Sequence, residues 1–372
     1  MQGSITFLLI VLALLYGPVS VTATEAAEPR SPVPHIAVLL PTSSPSLARH
    51  ADSVRKGILA AAKVQGKGAL PVTVYAITDE EQDAVANYEY AVTQGARVVI
   101  GPLTRPGINA IVARGAVTVP TLALNSPDPS LPIPARLYVL SLQAEPEARQ
   151  VASFARSEGR GAALVITADT TLARRTQQAF AEEFERDGGR VVGVFTLPAD
   201  SKALGKLRGT YASSSADMIF LACDGQRARF VRAFADKDAP FYGTSQLYAV
   251  RGDPMMNSDL EGVRFLDMPW LVQPDHPAAM SYPRADSPGG SNDYERFYAL
   301  GIDAYRVSQT LLDAPPPSVA SLDGVTGHIN LSAGPLLERT LTPAELGADP
   351  PKLLYPSTST SPAPPATARP RP

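Results

Sequence analysis

The sequence predicts a doubly wound α/β protein of two lobes, and three observations carry that prediction. Short apolar runs alternate with amphipathic helical patterns in strict order, the signature of layered α/β folds. Most runs are uniformly apolar, as strands buried on both faces of a parallel sheet require. The chain has 372 residues, and at roughly 100 to 200 residues per domain that length predicts two domains or lobes.

Taken in order, the chain opens with Ile5 to Tyr16, apolar except for Thr6, broken by Gly17 and Pro18 and followed by small residues. This is the pattern of an export signal, although no Lys or Arg precedes it. Twelve helical residues rise about 18 Å, short of the roughly 30 Å hydrocarbon core, so a membrane anchor is disfavoured. Residues 1–23 are therefore expected to be cleaved after Val21-Thr22-Ala23. No cysteine follows the apolar run, so the expectation is a soluble, unlipidated protein in the periplasm.

Seven runs then read as strands: Ile36 to Leu40, Val72 to Ile77, Val98 to Ile100, Thr121 to Leu124, Ala163 to Ile166, Val191 to Phe195 and Met218 to Ala222. Between them, Leu47, Ala51, Val54, Ile58, Leu59 and Ala62 fall on one helical face. Ala148, Val151, Ala152 and Ala155 fall on another, after the acidic start Glu145-Pro146-Glu147. Four strands precede the loop Asn125 to Pro134 and at least three follow Arg160, which predicts one sheet per lobe. Residues 348–372 are mostly Pro, Ser, Thr and Ala, a composition that buries too little apolar surface to offset the entropy of ordering. They are expected to form a disordered tail.

Composition excludes several functions. Lys plus Arg is 33 against 36 Asp plus Glu, a net charge of −3, so no positive excess exists to neutralise a nucleic-acid backbone. One cysteine and four scattered histidines support neither a disulfide framework nor a zinc site. No nucleophile elbow, phosphate loop, Gly-x-Gly-x-x-Gly turn or His-Glu-x-x-His pair is present. The chain is read as a non-enzyme without a cofactor. Cys223, at a strand end, is expected to be an inert packing group. Trp270 is expected to pack between the lobes where the chain crosses back, and Asp303 to bond locally within its helix.

In open α/β sheets the residues beyond the carboxyl ends of strands line the binding crevice. That rule selects Thr42, Ser43, Thr104, Asn125 and Ser126 in the first lobe, and Asp169, Asp224, Gln246 and Tyr248 in the second, with Cys223 beside them. The alternative is that these small polar groups only cap the next helix. The first-lobe set Thr42, Ser43, Asn125 and Ser126 carries no charge, which predicts a poor clamp for an amino acid.

Ile36-Ala-Val-Leu-Leu-Pro-Thr-Ser43, Val99-Ile-Gly-Pro-Leu103, Pro120-Thr-Leu-Ala-Leu-Asn125 and Glu147-Ala-Arg-Gln-Val151 resemble segments of the LppC-type penicillin-binding-protein activators. Ala216 to Ala222, Thr244 to Tyr248, Leu266-Asp-Met-Pro-Trp270, Tyr298-Ala-Leu-Gly-Ile-Asp-Ala-Tyr305 and Leu322-Asp-Gly-Val-Thr-Gly327 resemble the same family in the same order. The resemblance runs from about His35 to Leu346. It implies a two-lobed periplasmic-binding-protein type I fold, related to the amino-acid-binding proteins of transporters. In that topology residues 35–141 and 268–320 form the first lobe, and 142–267 and 321–346 the second.

The resemblance further implies a regulator that binds and stimulates a bifunctional peptidoglycan synthase, without catalytic residues. Two departures limit it. Many family members are lipoproteins, whereas no cysteine follows the signal here. The longer members also carry an amino-terminal helical-repeat domain for which this chain has no room. The alternative function is a periplasmic solute-binding protein for a small polar ligand such as an amino acid. A cleft filled by bulky side chains favours the regulator, and an open cleft with convergent polar groups favours the solute binder.

Overall fold

All seven apolar runs form strands. A computed structural model describes residues 32–197, 205–235, 239–248, 258–285, 291–313, 319–347 and 350–354. The signal expected at 1–23 lies outside them, as does most of the tail expected at 348–372. Both sheets described below belong to one compact unit that begins at Val33.

The first sheet contains β1 (His35–Leu40), β2 (Val72–Ala76), β3 (Ala96–Ile100), β4 (Thr121–Ala123) and β5 (Leu137–Val139) in the order β2-β1-β3-β4-β5. Every pairing is parallel. β1 lies between β2 and β3 and is buried along its whole length, with Val38 opposite Val74 on one side and Ile100 on the other. The edge strand β2 is only partly buried. Helices α1 (Ala48–Gln65), α2 (Glu81–Thr93) and α3 (Arg105–Arg114) connect these strands.

The second half contains α4 (Ala144–Ser157), β6 (Ala162–Thr167), α5 (Thr171–Arg186), β7 (Arg190–Thr196), α6 (Leu207–Ser213), β8 (Met218–Ala222), α7 (Gly225–Phe234), β9 (Phe241–Gly243) and β10 (Arg264–Asp267). It continues through α8 (Asn292–Asp313), β11 (Ser321–Asp323), β12 (His328–Asn330), β13 (Glu338–Thr340), β14 (Thr342–Glu345) and β15 (Lys352–Leu353). Seven strands form the second sheet in the order β15-β14-β10-β9-β8-β6-β7. It is parallel from β10 to β7, while β14 joins β10 antiparallel. Segment 321–346 divides: β14 enters this sheet, whereas β11, β12 and β13 form a separate antiparallel sheet. Within the segment read as tail, β15 pairs with β14, placing Leu353 opposite Ala344.

Four clusters of apolar contacts hold the fold, one of them joining Ile108 and Val112 of α3 to Ala123, Leu137 and Val139 of β4 and β5. One cluster joins the inner faces of both halves, from Ile36 and Val54 to Phe241 and Trp270. Another seats α4 and α5 on the second sheet, where the rings of Phe180 and Phe220 stack 3.9 Å apart. A third packs α2 and α3 on the outer face of the first sheet. The helical face expected for α1 holds at Ala51, Val54 and Ile58, but Leu59 is exposed because the buried stripe runs through Gly57 and Ala61 instead.

That stripe meets α8 at unusually short range. A Cβ on Gly57 would stand 2.0 Å from the Tyr298 carbonyl oxygen, and one on Gly301 would stand 2.1 Å from that of Val54. The two backbones touch because neither residue has a side chain. α8 is thereby fixed against α1 and β3, so the chain leaves the second sheet at β10 and packs onto the first. Trp270 sits on that path, fully buried, in a short helical turn. No helix among the described residues is long and apolar enough to cross a membrane.

Candidate functional site

The turns after β3 and β4, the start of α1 and one face of α8 form one wall of a cleft. The first turns of α4 and α5, with the short 3-10 turn Ser245–Leu247, form the other. They enclose about 650 Å³, within the roughly 300 to 1,000 Å³ of small-molecule sites. The wall at β3 depends on Gly101. Its φ is +106° and a Cβ there would stand 2.1 Å from the Leu39 carbonyl oxygen, so the turn admits only glycine. Leu103 and Thr104 then reach the cleft, and Thr104 Oγ1 accepts the Gly107 N–H at 3.3 Å, capping α3.

The structure brings together Thr104, Asn125 and Gln246 of the sequence-predicted set on this cavity. Asn125 is engaged internally, its Nδ2 donating to the Leu103 carbonyl (3.2 Å) and its Oδ1 accepting the Ser126 N–H (2.9 Å). Ser126 lines an adjoining hollow with Arg149 and Leu336. Thr42 and Ser43 stand in the turn after β1, where the Ser43 N–H donates to Ile77, and do not line the cavity. Asp169 is exposed and pairs with Arg174. Asp224 caps α7 by accepting the Arg227 N–H (2.8 Å) and pairs with the Arg227 side chain. Tyr248 is buried, and its carbonyl accepts from Asn292 and Arg296, each at 2.9 Å. Cys223 is buried, and burial followed by the Asp224 charge pushes its thiol up to about 12.

The expectation of an uncharged first-lobe rim is corrected by Arg105, half-buried in the cleft wall at the first position of α3. Facing it across the cavity, Arg175 Nε donates to Glu145 Oε1 at 2.6 Å, while Glu145 Oε2 is buried without a partner. His50 lies edge-on to Phe297 at 4.9 Å, with its Nδ1 buried and unpartnered. The strand-end rule missed these residues because it looked for small polar groups in the turns. The charges here sit one residue or more into the following helices, at Arg105, Glu145 and Arg175.

A second polar assembly lies where the chain crosses between the sheets. Arg296 of α8 donates through Nη2 to Asp267 Oδ2 (2.6 Å) and to the carbonyls of Ser245 and Tyr248 (2.9 Å each). Arg296 and Asp267 are both buried. Burial alone would lower the Arg296 guanidinium, but the Asp267 carboxylate raises it instead. Ser245 also donates its N–H and hydroxyl to Glu147. Burial, then the Asp267 charge, push Glu147 up to about 7.

Asp303 does more than bond within its helix. Besides Arg306 it accepts the N–H groups of Val325 (3.1 Å) and Thr326 (2.7 Å) and the Thr326 hydroxyl (2.7 Å). Arg339 spans two crossings, donating to the carbonyls of Ser141 (3.2 Å) and Thr326 (3.0 Å). Trp270 donates its N–H to Val325 and its Nε1 to Glu295 (2.6 Å), under the Arg284 guanidinium at 4.2 Å. Trp270 thus packs at the crossing and does not stack on the cleft. Among the described residues no group of His, Cys, Asp or Glu is placed to hold a metal ion.

The chain matches the family described as LppC putative lipoprotein over residues 15–348. It is 26% identical over 288 residues to the penicillin-binding protein activator LpoA of Photobacterium profundum, covering 68% of this chain and 46% of that one. It thus spans about half the length of the curated relatives it matches. A structure described as a putative branched-chain amino acid ABC transporter from Chromobacterium violaceum superposes with a TM-score of 0.72 at 38% identity, covering 84% of this chain and 99% of that one. The LpoA C-domain of Haemophilus influenzae, described as a regulator of PBP1A, superposes with a TM-score of 0.71 at 19% identity, covering 86% and 100%. The architecture is the two-lobed periplasmic-binding-protein type I fold.

Proposed function

Because the chain belongs to the LppC family, we propose that it is a non-catalytic regulator that binds a bifunctional peptidoglycan synthase in the periplasm and stimulates it. Family membership, with relatives named as penicillin-binding protein activators, is the observation that carries this reading. The geometry supports it in one respect. Thr104, Asn125 and Asp224 hold their own backbone turns, as a scaffold presenting a surface requires.

The test is a pull-down from envelope extract with this chain as bait, followed by a crosslinking assay of the captured synthase. Co-purification of a penicillin-binding protein and a rise in crosslinking are expected. Alanine at Ser43, Asn125 and Ser126 together should leave stimulation within about twofold of wild type, since contact energy concentrates in interface anchors elsewhere. Absence of both capture and stimulation overturns the reading. Intact-mass analysis of the exported protein tests the processing expected near Ala23 and shows whether an acyl chain is attached.

A second reading, capture of a small solute in the cleft, is favoured by the chain described as a branched-chain amino acid transporter. It is 38% identical and almost wholly covered.

A further inference from the structure

Two hollows of about 620 and 560 Å³ meet at Ile133 and Pro335, which line both. The first follows residues 335–341 and has Gln143, Arg149, Glu338 and Thr340 in its walls. The second is mainly apolar, with Pro134, Tyr138, Val319 and Leu331 around it. Leu336 stands 49% exposed in the first and Val319 44% exposed in the second. Together they leave a continuous apolar groove uncovered, the kind of surface that marks a docking site. Tyr138 adds an unused donor: burial alone raises its hydroxyl, which takes part in no hydrogen bond among the described residues.

The chain itself supplies a segment aimed at this groove. β15 runs antiparallel to β14, with Leu353 opposite Ala344 and the Leu354 N–H donating to the Pro343 carbonyl at 2.9 Å. The backbone leaving Leu354 therefore heads for Thr342 and Leu341, where the first hollow begins. Residues 355–372 follow, and their composition changes in the same order as the groove does. Ser357-Thr-Ser-Thr-Ser361 is polar, and Pro362-Ala-Pro-Pro-Ala366 is apolar and rich in proline. From Leu341 back to Pro335 the groove spans at most about 20 Å, the length of about six extended residues. Residues 355–361 cover a similar distance at about 3.1 Å each, which brings Pro362 to the start of the second hollow.

We propose that residues 356–368 dock in this groove of their own molecule, the polar stretch in the first hollow and the proline-rich stretch in the second. A polyproline II backbone makes no internal hydrogen bonds, so its carbonyls are free to accept from the Tyr138 hydroxyl. Proline's fixed φ also lowers the entropy lost on docking. The tether matters as much as the contacts. It holds the segment at an effective concentration of about a millimolar, so even a weak peptide affinity keeps the groove filled. A proline-rich segment of a second copy, or of another protein, meets the same surface without that advantage. The inference is independent of the proposed function.

The test is photo-crosslinking on the full chain. Ala368→Cys carries a benzophenone maleimide, and labelling is selective because Cys223, the sole native cysteine, is buried with its thiol pushed up to about 12. Illumination should join position 368 to residues 131–138 or 319–336 of the same chain, in a product that migrates as a monomer. Leu336→Glu, at an exposed position, should lower that yield by about fivefold or more, since it sets a charge against the apolar segment. Tyr138→Phe should lower it by about threefold, the loss of one hydrogen bond.

Pro362→Gly, Pro364→Gly and Pro365→Gly together should match the loss in Leu336→Glu. They leave the described residues untouched, and serve as the test if Leu336→Glu fails to fold. A crosslinked dimer in place of the monomer assigns the groove to a second copy and overturns the proposal. Crosslinks scattered over the surface, or an unchanged yield in the proline variant, overturn it as well.

Discussion

Glu145 and Glu147 stand two residues apart in the first turn of α4, and they end in opposite environments. Glu145 faces the cleft, where one of its oxygens has no partner. Glu147 faces the crossing, where Ser245 donates to it twice and Asp267 and Arg296 lie close enough to shift it. The same contrast separates Arg105, unpaired in the cleft wall, from Arg296, which reaches a buried carboxylate and two carbonyls. A polar group satisfied inside the protein contributes to stability, whereas one left open in a cavity is available to something from outside. The crossing should therefore respond to mutation through stability and the cleft through binding.

The largest effects are expected at the crossing. Arg296→Met strands the buried Asp267 carboxylate and should destabilise by about 3 to 5 kcal/mol in urea melts. An unchanged melt would mean that Asp267 finds water on its own. Trp270→Ala should cost a similar 3 to 5 kcal/mol or so through the cavity it leaves, with the Glu295 bond also lost.

Gly301→Ala comes next. Its Cβ would overlap the Val54 carbonyl, and spreading α8 from α1 should cost about 1 to 3 kcal/mol. A melt matching wild type would show that the two helices slide apart freely.

Glu147 supplies a smaller, pH-dependent effect. Its folded-state pKa, raised to about 7 from an ordinary 4.5, means that the native state holds the proton more tightly than the unfolded chain. The associated stability is present below the unfolded pKa and is lost as pH rises through about 7. Glu147→Gln removes this titration, so the melting temperature should fall less between about pH 5 and about pH 8 in the variant than in wild type. Parallel pH profiles would show that Ser245 and Arg296 already compensate the charge.

The smallest effect is expected at Arg105. Arg105→Ala removes an unpaired, half-buried cation, so stability should stay within about 0.5 kcal/mol of wild type or rise slightly. A loss as large as that of Arg296→Met would erase the distinction between the two regions.

Much of the fold was legible beforehand. The uniformly apolar runs at Ile36, Ala163 and Met218 became fully buried central strands, because a strand covered on both faces has no position for a polar side chain. The glycines in the resembling segments also had readable roles in retrospect, Gly101 at a tight turn and Gly301 at a helix contact. Short strands such as β5 and β9, three residues each, escaped notice because so few residues establish no period.

Sequence alone determined the alternation of strands and helices, the apolar composition of the central strands and the set of small polar residues at strand ends, since each depends on neighbours along the chain. Tertiary structure decided which polar groups are satisfied. Asp303 finds its partners 22 and 23 residues away, Arg296 reaches Ser245 across 51 positions, and Arg339 reaches Ser141 across 198. Nothing local distinguishes those arginines from Arg105, because a buried charge is defined by what surrounds it in space. Only the packing of α8 and the third sheet against the crossings answers the charges there and leaves the one in the cleft open.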